Sequence, residues 1–281
     1  MKIVQNQTFD EERAFYGSQD IKIINCRFDG EADGESAFKE STRIEAQNCF
    51  FNLRYPFWHD DSVYIHNSEM TALCRAALWY SNNITVKDTL MHGIKALREC
   101  NNVKLENVDI ISPEFGWFSK NIKMKSSSAE GEYFMFKTEN VEFEGVKLSG
   151  KYSFQYMQNA VFDNCSFATK DAFWHAKNVT VKNSVIRGEY LAWYSENVTF
   201  ENCIIYGTQP LCYCKNLRII NCEMYDADLA FELSEVLAIL TTPIMSIKNP
   251  LTGEISVPKV GEIIYDPSIC KCKINLDKTN F

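Results

Sequence analysis

The chain has 281 residues, of which 29 are lysine or arginine and 37 are aspartate or glutamate, so its formal net charge is −8 and its isoelectric point is about 5.2. This acidic balance excludes a basic nucleic-acid-binding protein as the default class. With 46% hydrophobic and 23% charged residues, the composition is that of an ordinary globular protein. It excludes disordered and collagen-like chains.

The start of the chain, Met1 to Asp10, lacks the basic and then apolar pattern of a signal peptide. No apolar run reaches the roughly 18 residues that span a bilayer. A cytoplasmic protein without a membrane partner is therefore expected. The eleven cysteines are an odd number in a chain without export signals, so a disulfide framework is not expected.

An asparagine followed by an apolar residue recurs every 19 residues. It occupies eight successive places: Asn83, Asn102, Asn121, Asn140, Asn159, Asn178, Asn197 and Asn216. Upstream, the same frame continues through Asp20, Arg43 and Ser62 with steps of 23, 19 and 21 residues, which indicate short insertions. Internal repeats of this length are typical of solenoids, and they make eleven repeats over residues 20–234.

Each repeat contains the pattern of three short strands when its asparagine is numbered position 1. Positions 2 and 4 are apolar and positions 3 and 5 mostly polar, an alternation that indicates a half-buried strand. A second asparagine at position 6 suits a left-handed corner, and a second strand follows with a small residue at position 7. A third strand is predicted at positions 14 to 17.

Three strands and three corners leave no room for a helix, so the sequence predicts an all-β fold: a single-stranded, right-handed parallel β-helix of about eleven coils. Residues 1–281 are expected to form one domain. Within it, 1–19 form an N-terminal partial coil and cap, 20–234 the repeat coils, and 235–281 a last partial coil with an extended or hairpin cap. The stacked asparagines are expected to hydrogen-bond between coils as an asparagine ladder.

Two stretches of the repeat, NVTFENC at Asn197 to Cys203 and NLRIINC at Asn216 to Cys222, resemble the pectin-lyase-like right-handed β-helix superfamily. Within that superfamily the chain looks like an uncharacterised bacterial family of domains of unknown function, family 3737. The resemblance covers nearly the whole chain and implies the fold. It implies no activity, because the Asn-Thr-Asp, Gly-His-Gly and Arg-Ile-Lys elements of polygalacturonases are missing from the sequence.

All five tryptophans occupy position 16, in the third predicted strand, while position 15 carries no charge and is expected to face the core. Strand alternation then turns position 16 outward, where aromatic rings would suit the apolar face of a sugar. The predicted substrate-binding residues are Trp58, Trp79, Trp117, Phe136, Gln155, Trp174, His175 and Trp193. The alternative is that these rings stack on one another or are covered in a homo-oligomer.

Position 17 carries titratable groups next to a corner, including Tyr156, His175, Tyr194 and Tyr213, and they are expected to reach solvent at the groove edge. The candidate catalytic residues are His59, Asp60, Asp61, Arg98 and Glu99. Such a group would suit proton abstraction or glycosidic cleavage by a polysaccharide lyase or glycoside hydrolase. Alternatively, the acidic residues are solvated at corners and the histidines cap the aromatic column.

No metal site or cofactor is predicted, because the two Cys-x-Cys pairs, Cys212 with Cys214 and Cys270 with Cys272, have shorter spacing than zinc sites usually show. Two functions remain open. The chain either binds an oligosaccharide, and acts on it, through the aromatic face, or is a non-enzymatic scaffold that self-assembles through that face. The net charge of −8 favours a neutral sugar over a polyuronate and argues against a nucleic-acid partner.

Overall fold

The structure, a computed structural model, describes residues 1–276 of the chain. The chain divides into two compact units, Met1–Glu142 and Phe143–Phe281. It folds as a right-handed parallel β-helix, as predicted, with about 14 turns and a spacing of about 19 residues per turn. The predicted number of eleven coils was too low, because coils precede and follow the part of the chain that carries the asparagine signature.

In the first unit, the strands at positions 1 to 5 of successive coils pair in parallel, so that Ile21 lies opposite Ile44 and Ile44 opposite Val63. The strands that begin at these positions are Lys2–Gln5, Gln19–Ile24, Thr42–Gln47, Asp61–His66, Asn82–His92, Asn101–Ile111, Lys120–Lys125 and Glu139–Glu144, the last of which contains the boundary between the units. The shorter strands are Thr8–Phe9, Arg27–Phe28, Phe50–Phe51, Phe57–Trp58, Glu69–Met70, Leu78–Trp79, Leu97–Arg98 and Ser128–Glu132.

The second unit repeats this pattern, with Val179 opposite Val198 and Val198 opposite Leu217. Its strands at positions 1 to 5 are Gln158–Asp163, Lys177–Lys182, Glu196–Glu201, Lys215–Tyr225, Glu235–Leu240, Thr252–Val257 and Lys273–Leu276. The other strands are Lys147–Lys151, Ser166–Lys170, Val185–Arg187, Ile204–Tyr206, Ile244–Lys248 and Val260–Ile264. The in-register pairing places equivalent residues of successive coils in columns.

The core of each unit consists of these apolar columns. In the first unit, Phe28 stacks on Phe51 with ring centroids 4.9 Å apart, and Phe38 stacks on Phe57 at 5.1 Å. All eleven cysteines are free and buried. Five of them occupy position 7, as small inward residues: Cys26, Cys49, Cys165, Cys203 and Cys222. Their abundance is explained by packing, because a thiol behaves as a small apolar group in a core.

Asparagines at position 1 join successive coils through their side-chain amides. Asn102 Nδ2 donates to Asn83 Oδ1 at 3.0 Å in the first unit, and Asn197 Nδ2 donates to Asn178 Oδ1 at 3.0 Å in the second. These residues also have positive φ angles, for example 58° at Asn102. Asparagine therefore serves both needs of the corner, since it tolerates the left-handed region and offers a donor and an acceptor.

The third side of the coil differs from the prediction in detail. Strand geometry is limited there to Phe57–Trp58, Leu78–Trp79 and Leu97–Arg98 among the coils of the first unit. In later coils every second residue is left-handed, as at Tyr190, Ala192 and Tyr194 with φ of 57°, 57° and 59°. Such residues curve the backbone, but position 15 stays buried throughout and position 16 stays half-buried from Lys39 to Trp193. In the last two coils, Cys212 and Phe231 at position 16 are buried as well.

The two ends of the described chain are coils. Lys2–Gln5 pairs in parallel with Ile21–Ile24, so residues 1–19 form a turn of the helix. In the segment predicted as a last partial coil with an extended or hairpin cap, Glu235–Leu240, Thr252–Val257 and Lys273–Leu276 pair in parallel. Asn249, with φ of 43°, makes a corner there. Residues 277–281 of the predicted cap lie outside the described residues. Over residues 1–276, no helix is long and apolar enough to cross a membrane.

Candidate functional site

The tryptophans of the first unit are half-buried, and their ring faces are covered by neighbours. Trp58 and Trp79 stack with centroids 6.0 Å apart and planes 16° from parallel. Lys39 belongs to the coil before Trp58, and its Nζ lies 4.5 Å from the centroid of the Trp58 ring. Arg98 Cζ lies 5.7 Å from the Trp79 ring and 5.3 Å from the Trp117 ring. Along position 16, the stacked Trp58 and Trp79 thus lie between Lys39 and Arg98, and the indole faces are used for contacts within the protein.

In the second unit, Trp174 and Trp193 stack more closely, with centroids 5.4 Å apart and planes 4° from parallel. Their indole N–H groups donate to the backbone carbonyl oxygens of Tyr190 and Gln209, each at 2.7 Å. The carbonyl in each case belongs to the coil that follows. The rings therefore present their edges outward, while their faces and their donors are engaged along the column.

Gln155 follows the same rule, because its amide Nε2 donates to the carbonyl oxygen of Asp171 at 3.2 Å. Gln155 was predicted to bind a substrate, but its donor is directed to the backbone. In the first unit, Trp117 Nε1 donates to the Tyr133 carbonyl at 2.7 Å, and the half-buried Phe136 ring lies 5.1 Å from that indole. By contrast, the Nε1 atoms of Trp58 and Trp79 are buried without a hydrogen-bond partner.

Position 17 of the second unit forms a continuous column of stacked rings, here called the tyrosine ladder: Tyr156, His175, Tyr194 and Tyr213. Successive centroids lie 4.8, 5.1 and 4.8 Å apart. Each of these residues is left-handed, which turns its side chain out of the corner. Tyr156 is 42% exposed and Tyr194 is 48% exposed. The ladder is the more accessible part of the aromatic face, and of its members only His175 was among the predicted binding residues.

The tyrosine ladder ends at a charged pair. Tyr213 donates its hydroxyl to Glu232 Oε2 at 3.2 Å, and Lys248 Nζ lies 2.8 Å from Glu232 Oε1. Burial of the phenol, and then the neighbouring carboxylate, raise the pKa of Tyr213 to about 12. Because the lysine and the glutamate neutralise each other, this end of the ladder carries no net charge.

The candidate catalytic residues His59, Asp60 and Asp61 are adjacent in sequence but lie in three environments. The exposed His59 ring stacks on Tyr80 with centroids 4.9 Å apart. The Asp61 carboxylate accepts a hydrogen bond from Asn83 Nδ2 at 2.8 Å, and Asn83 is itself part of the column of asparagine amides at position 1. Asp60 points inward and is 1% exposed. The structure therefore does not bring these three side chains together.

Asp60 occupies a buried column that elsewhere in the first unit carries small residues, which are Ser41, Ser81, Cys100, Ser119 and Thr138. Its Oδ1 accepts a hydrogen bond from the Ser41 amide at 2.8 Å, and its own amide donates to Ser81 Oγ at 3.0 Å. Its second oxygen is buried without a partner. Burial raises the pKa of Asp60 to about 8, so the carboxyl group is protonated at neutral pH.

The two remaining candidates, Arg98 and Glu99, are engaged with each other. Arg98 Nε lies 3.3 Å from Glu99 Oε1, and Arg98 Nη1 lies 3.9 Å from Glu114 Oε2. The guanidinium is also held between Trp79 and Trp117. A general base must have a free lone pair directed at the proton it takes, whereas the Glu99 carboxylate is directed at a cation within the protein.

In the described part of the chain there is no group of three or more His, Cys, Asp or Glu side chains that could hold a metal ion. The thiols of Cys212 and Cys214 are buried, and burial raises their pKa values to about 12 and about 11. Thiols with pKa values in that range are poor ligands, because metals bind the thiolate.

A family model described as "Protein of unknown function (DUF3737)" matches residues 2–276. No curated protein matches the chain in sequence. Among solved structures, the chain is similar to the surface adhesin PfbA of Streptococcus pneumoniae, with a TM-score of 0.45 and 8% identity over 91% of this chain and 85% of that one.

Two carbohydrate-active enzymes are also similar in structure. The catalytic unit of the GH87 α-1,3-glucanase from Streptomyces thermodiastaticus has a TM-score of 0.46 and 8% identity over 97% of this chain and 62% of that one. The endo-xylogalacturonan hydrolase from Aspergillus tubingensis has a TM-score of 0.37 and 10% identity over 97% of this chain and 87% of that one. The chain thus spans less than two thirds of the glucanase unit.

Proposed function

Because the model of the DUF3737 family matches residues 2–276, the chain belongs to this family of proteins of unknown function, and we propose that it binds a neutral linear polysaccharide along the tyrosine ladder. The observation that carries this proposal is the regular exposure of aromatic residues at one position of successive coils. A phenol or an imidazole recurs there once per coil, and the centroids of successive rings lie 4.8 to 5.1 Å apart. A surface that repeats its hydrogen-bonding groups suits a ligand that repeats its own.

The charge of the ladder supports a neutral ligand. Burial and the neighbouring Glu232 raise the pKa of Tyr213 to about 12, so this tyrosine is uncharged at neutral pH. The cation at its end, Lys248, is already paired with that glutamate. Lys248 is therefore not free to attract a polyanion, and the net charge of −8 would repel one.

The proposal is limited to binding, without a cleavage step. The acid and base residues of the sequence prediction are directed elsewhere: Asp60 into the core, Asp61 to Asn83, and Glu99 to Arg98. Glycoside hydrolysis normally needs two carboxyl groups on either side of one bond. The arrangement of these side chains does not support that geometry.

Affinity electrophoresis in gels that contain a neutral linear glucan, mannan or xylan tests the proposal. We expect retardation of the wild-type protein by one of these polymers. Tyr194→Ser removes the most exposed ring of the ladder and should weaken binding about fivefold, equivalent to roughly 1 kcal/mol for one contact. The matched control is Tyr225→Ser, which removes a tyrosine of similar exposure (39%) that donates to Glu223 in another column. Equal retardation of both variants, or none by any polymer, would contradict the proposal.

A second function is self-association through the same ladder. The observation that favours it is that the rings of the ladder cover one another's faces, as in the 4.8 Å stack of Tyr194 and Tyr213, so that their edges remain exposed. The ring edges left outside form a partly apolar surface, and such surfaces often mark interfaces between proteins. Light scattering distinguishes the two functions: a mass that rises with concentration, and that Tyr194→Ser returns to one chain, would favour self-association.

A further inference from the structure

One strand of the second unit is apolar on both of its faces. The strand Glu235–Leu240 reads EVLAIL, with five successive apolar residues, whereas Glu196–Glu201, two coils earlier, reads ENVTFE and alternates. Its three inward residues are buried, but Leu237 is 51% exposed and Ile239 is 57% exposed. A continuous apolar run is typical of a parallel strand that is covered on both faces. The outward face of this strand therefore has the composition of a buried surface.

Leu237 and Ile239 form an apolar patch with Ile220 of the preceding coil, which is 38% exposed. The three side chains line a shallow depression of about 390 Å³. Polar residues bound the patch at position 5, since Glu201 precedes Ile220 and Ser256 follows Ile239. Single exposed apolar residues are common on protein surfaces, whereas a contiguous patch indicates a surface that binds another molecule.

Two opposite charges flank the apolar patch. At position 3, parallel pairing places Arg218 opposite Leu237 and Leu237 opposite Glu254. The two charges are therefore separated by two coils, or about 9.6 Å of sheet, which is too far for an ion pair. Elsewhere in the unit, opposite charges at one position occupy adjacent coils and pair, as Lys177 and Glu196 do at 3.1 Å.

Arg218 and Glu254 are both exposed and not neutralised. Among residues 1–276, Arg218 has no hydrogen bond, ion pair or ring contact. Glu254 Oε1 accepts a hydrogen bond at 2.5 Å from Asn275 Nδ2, a neutral amide. Lys273 follows Glu254 at position 3, but the two form no ion pair in this part of the chain. Each side of the patch therefore keeps a charge that a partner can match.

A second copy of the chain matches both charges. In a two-fold dimer the same surface of each copy faces the other. If the two-fold axis runs along the strand Glu235–Leu240, between the two sheets, it reverses the order of the coils. Leu237 then faces Leu237 of the second copy, and Arg218 of each copy faces Glu254 of the other. An axis along the stacking direction of the coils would instead place Arg218 against Arg218.

We infer that the chain forms a two-fold dimer through the apolar patch, with ion pairs between Arg218 of one copy and Glu254 of the other. An apolar centre with a charged rim is the usual anatomy of a protein interface. Five coils of six-residue strands offer about 500 Å² per copy. A standard interface buries about 800 Å² per partner, so the dimer is expected to be weak, with a dissociation constant of about 10 μM or higher. This inference is independent of the tyrosine ladder, which occupies position 17.

Sedimentation equilibrium of the full chain between about 5 and 500 μM tests the inference. We expect the mass to rise from one chain of 32.4 kDa to two chains and no further, because a two-fold dimer is closed. Leu237→Lys places a cation against its own copy and should weaken association at least tenfold. The matched control is Val161→Lys, which alters a 42% exposed residue at position 3 four coils away and should change nothing.

A single chain at every concentration would overturn the inference and leave the patch to a different protein. A mass that grows beyond two chains, or equal effects of Leu237→Lys and Val161→Lys, would also overturn it. Tyr194→Ser should leave this dimer unchanged, and loss of the dimer in that variant would assign the association to the tyrosine ladder instead.

Exchange of the two charges tests the orientation of the dimer. Arg218→Glu and Glu254→Arg should each weaken association at least tenfold, because each places like charges opposite one another. The chain with both substitutions regains the two ion pairs and should recover most of the association, and a mixture of the two single variants should form a mixed dimer. If the double variant stays a single chain while circular dichroism shows an intact fold, the proposed pairing is wrong.

Discussion

The carboxyl group of Asp60 takes the place of a serine hydroxyl beneath the Ser41 amide, with Oδ1 2.8 Å from the amide nitrogen. Its Oδ2 has no partner, and burial raises its pKa to about 8. An aspartate in an unfolded chain has a pKa of about 3.9. The folded state therefore holds one more proton than the unfolded state between these values, and the stability that Asp60 contributes is greatest below pH 4 and is lost as the pH rises towards 8.

Asp60→Asn removes this titration while it keeps the side chain's size. We expect the free energy of unfolding of the wild type, relative to Asp60→Asn, to fall by up to about 1.4 kcal/mol per pH unit between pH 5 and 8. Urea unfolding at several pH values measures this difference. The control is Asp61→Asn, whose parent side chain lies at the surface. A difference between wild type and Asp60→Asn that is constant with pH would contradict the assignment.

Trp117 and Trp79 differ in what their indole N–H groups reach. Trp117 Nε1 donates to the Tyr133 carbonyl, whereas Trp79 Nε1 is buried without a partner. Both rings contact Arg98, so Trp→Phe substitutions at the two sites are a matched pair. Trp117→Phe should lower the free energy of unfolding by about 1 kcal/mol more than Trp79→Phe, because only the first loses a hydrogen bond. Urea unfolding followed by circular dichroism measures both, and the reverse order would refute this account.

Asn121 lies in the middle of the amide ladder of the first unit. It donates to Asn102 Oδ1 at 3.2 Å, accepts from Asn140 Nδ2 at 2.9 Å, and has φ of 55°. Asn121→Gly loses the amide contacts but tolerates the left-handed backbone. Asn121→Ala loses both and should be about 1 kcal/mol less stable than the glycine variant. Equal stability of the two variants in urea would show that the backbone conformation contributes little.

Two glycines separate close packing from backbone conformation. A Cβ at Gly34 would lie 2.3 Å from the Glu11 backbone, whereas Gly17 has open space around it and φ of 63°. Gly17→Ala should cost about 1 kcal/mol for the left-handed backbone. Gly34→Ala must displace a loop and should cost more. Thermal unfolding of both variants gives the comparison, and Gly17→Asn, which tolerates this conformation, should recover most of the loss at that site.

The buried thiols should be unreactive in the folded protein. Burial raises the pKa of Cys49 to about 11 and that of Cys100 to about 12, so few thiolates form near neutral pH. Titration with a chromogenic disulfide at pH 8 should release little colour from native protein and eleven equivalents after unfolding in urea. Rapid reaction of a thiol in the folded state would indicate local opening of its coil.

Much of the fold could be predicted because every coil of a solenoid repeats the same local sequence pattern. The alternation at positions 2 to 5 and the asparagines at positions 1 and 6 recur with 19-residue spacing, so one coil predicts the next. The ends were harder to predict, since the coils of Lys2–Gln5 and Thr252–Val257 have no asparagine at position 1. At the ends, the coil is held by parallel pairing with the neighbouring coil, which the local sequence pattern does not show.

The candidate site was predicted less well than the fold. Position in the repeat correctly placed Trp174 and Trp193 in one column, but it could not show that their donors turn to Tyr190 and Gln209. It also grouped Asp60 with His59 because they are neighbours in sequence, although a corner turns one inward and the other outward. The direction of a side chain at a corner depends on backbone angles that a hydrophobic pattern does not report.

The sequence by itself determined the coil, its period and the columns in which side chains align, because each of these follows from a repeated local pattern. Only the tertiary structure decided which surfaces of the aromatic rings stay exposed and that Asp60 is buried. The physical reason is that these features arise between coils, where stacking and desolvation act on side chains that are about twenty residues apart in sequence.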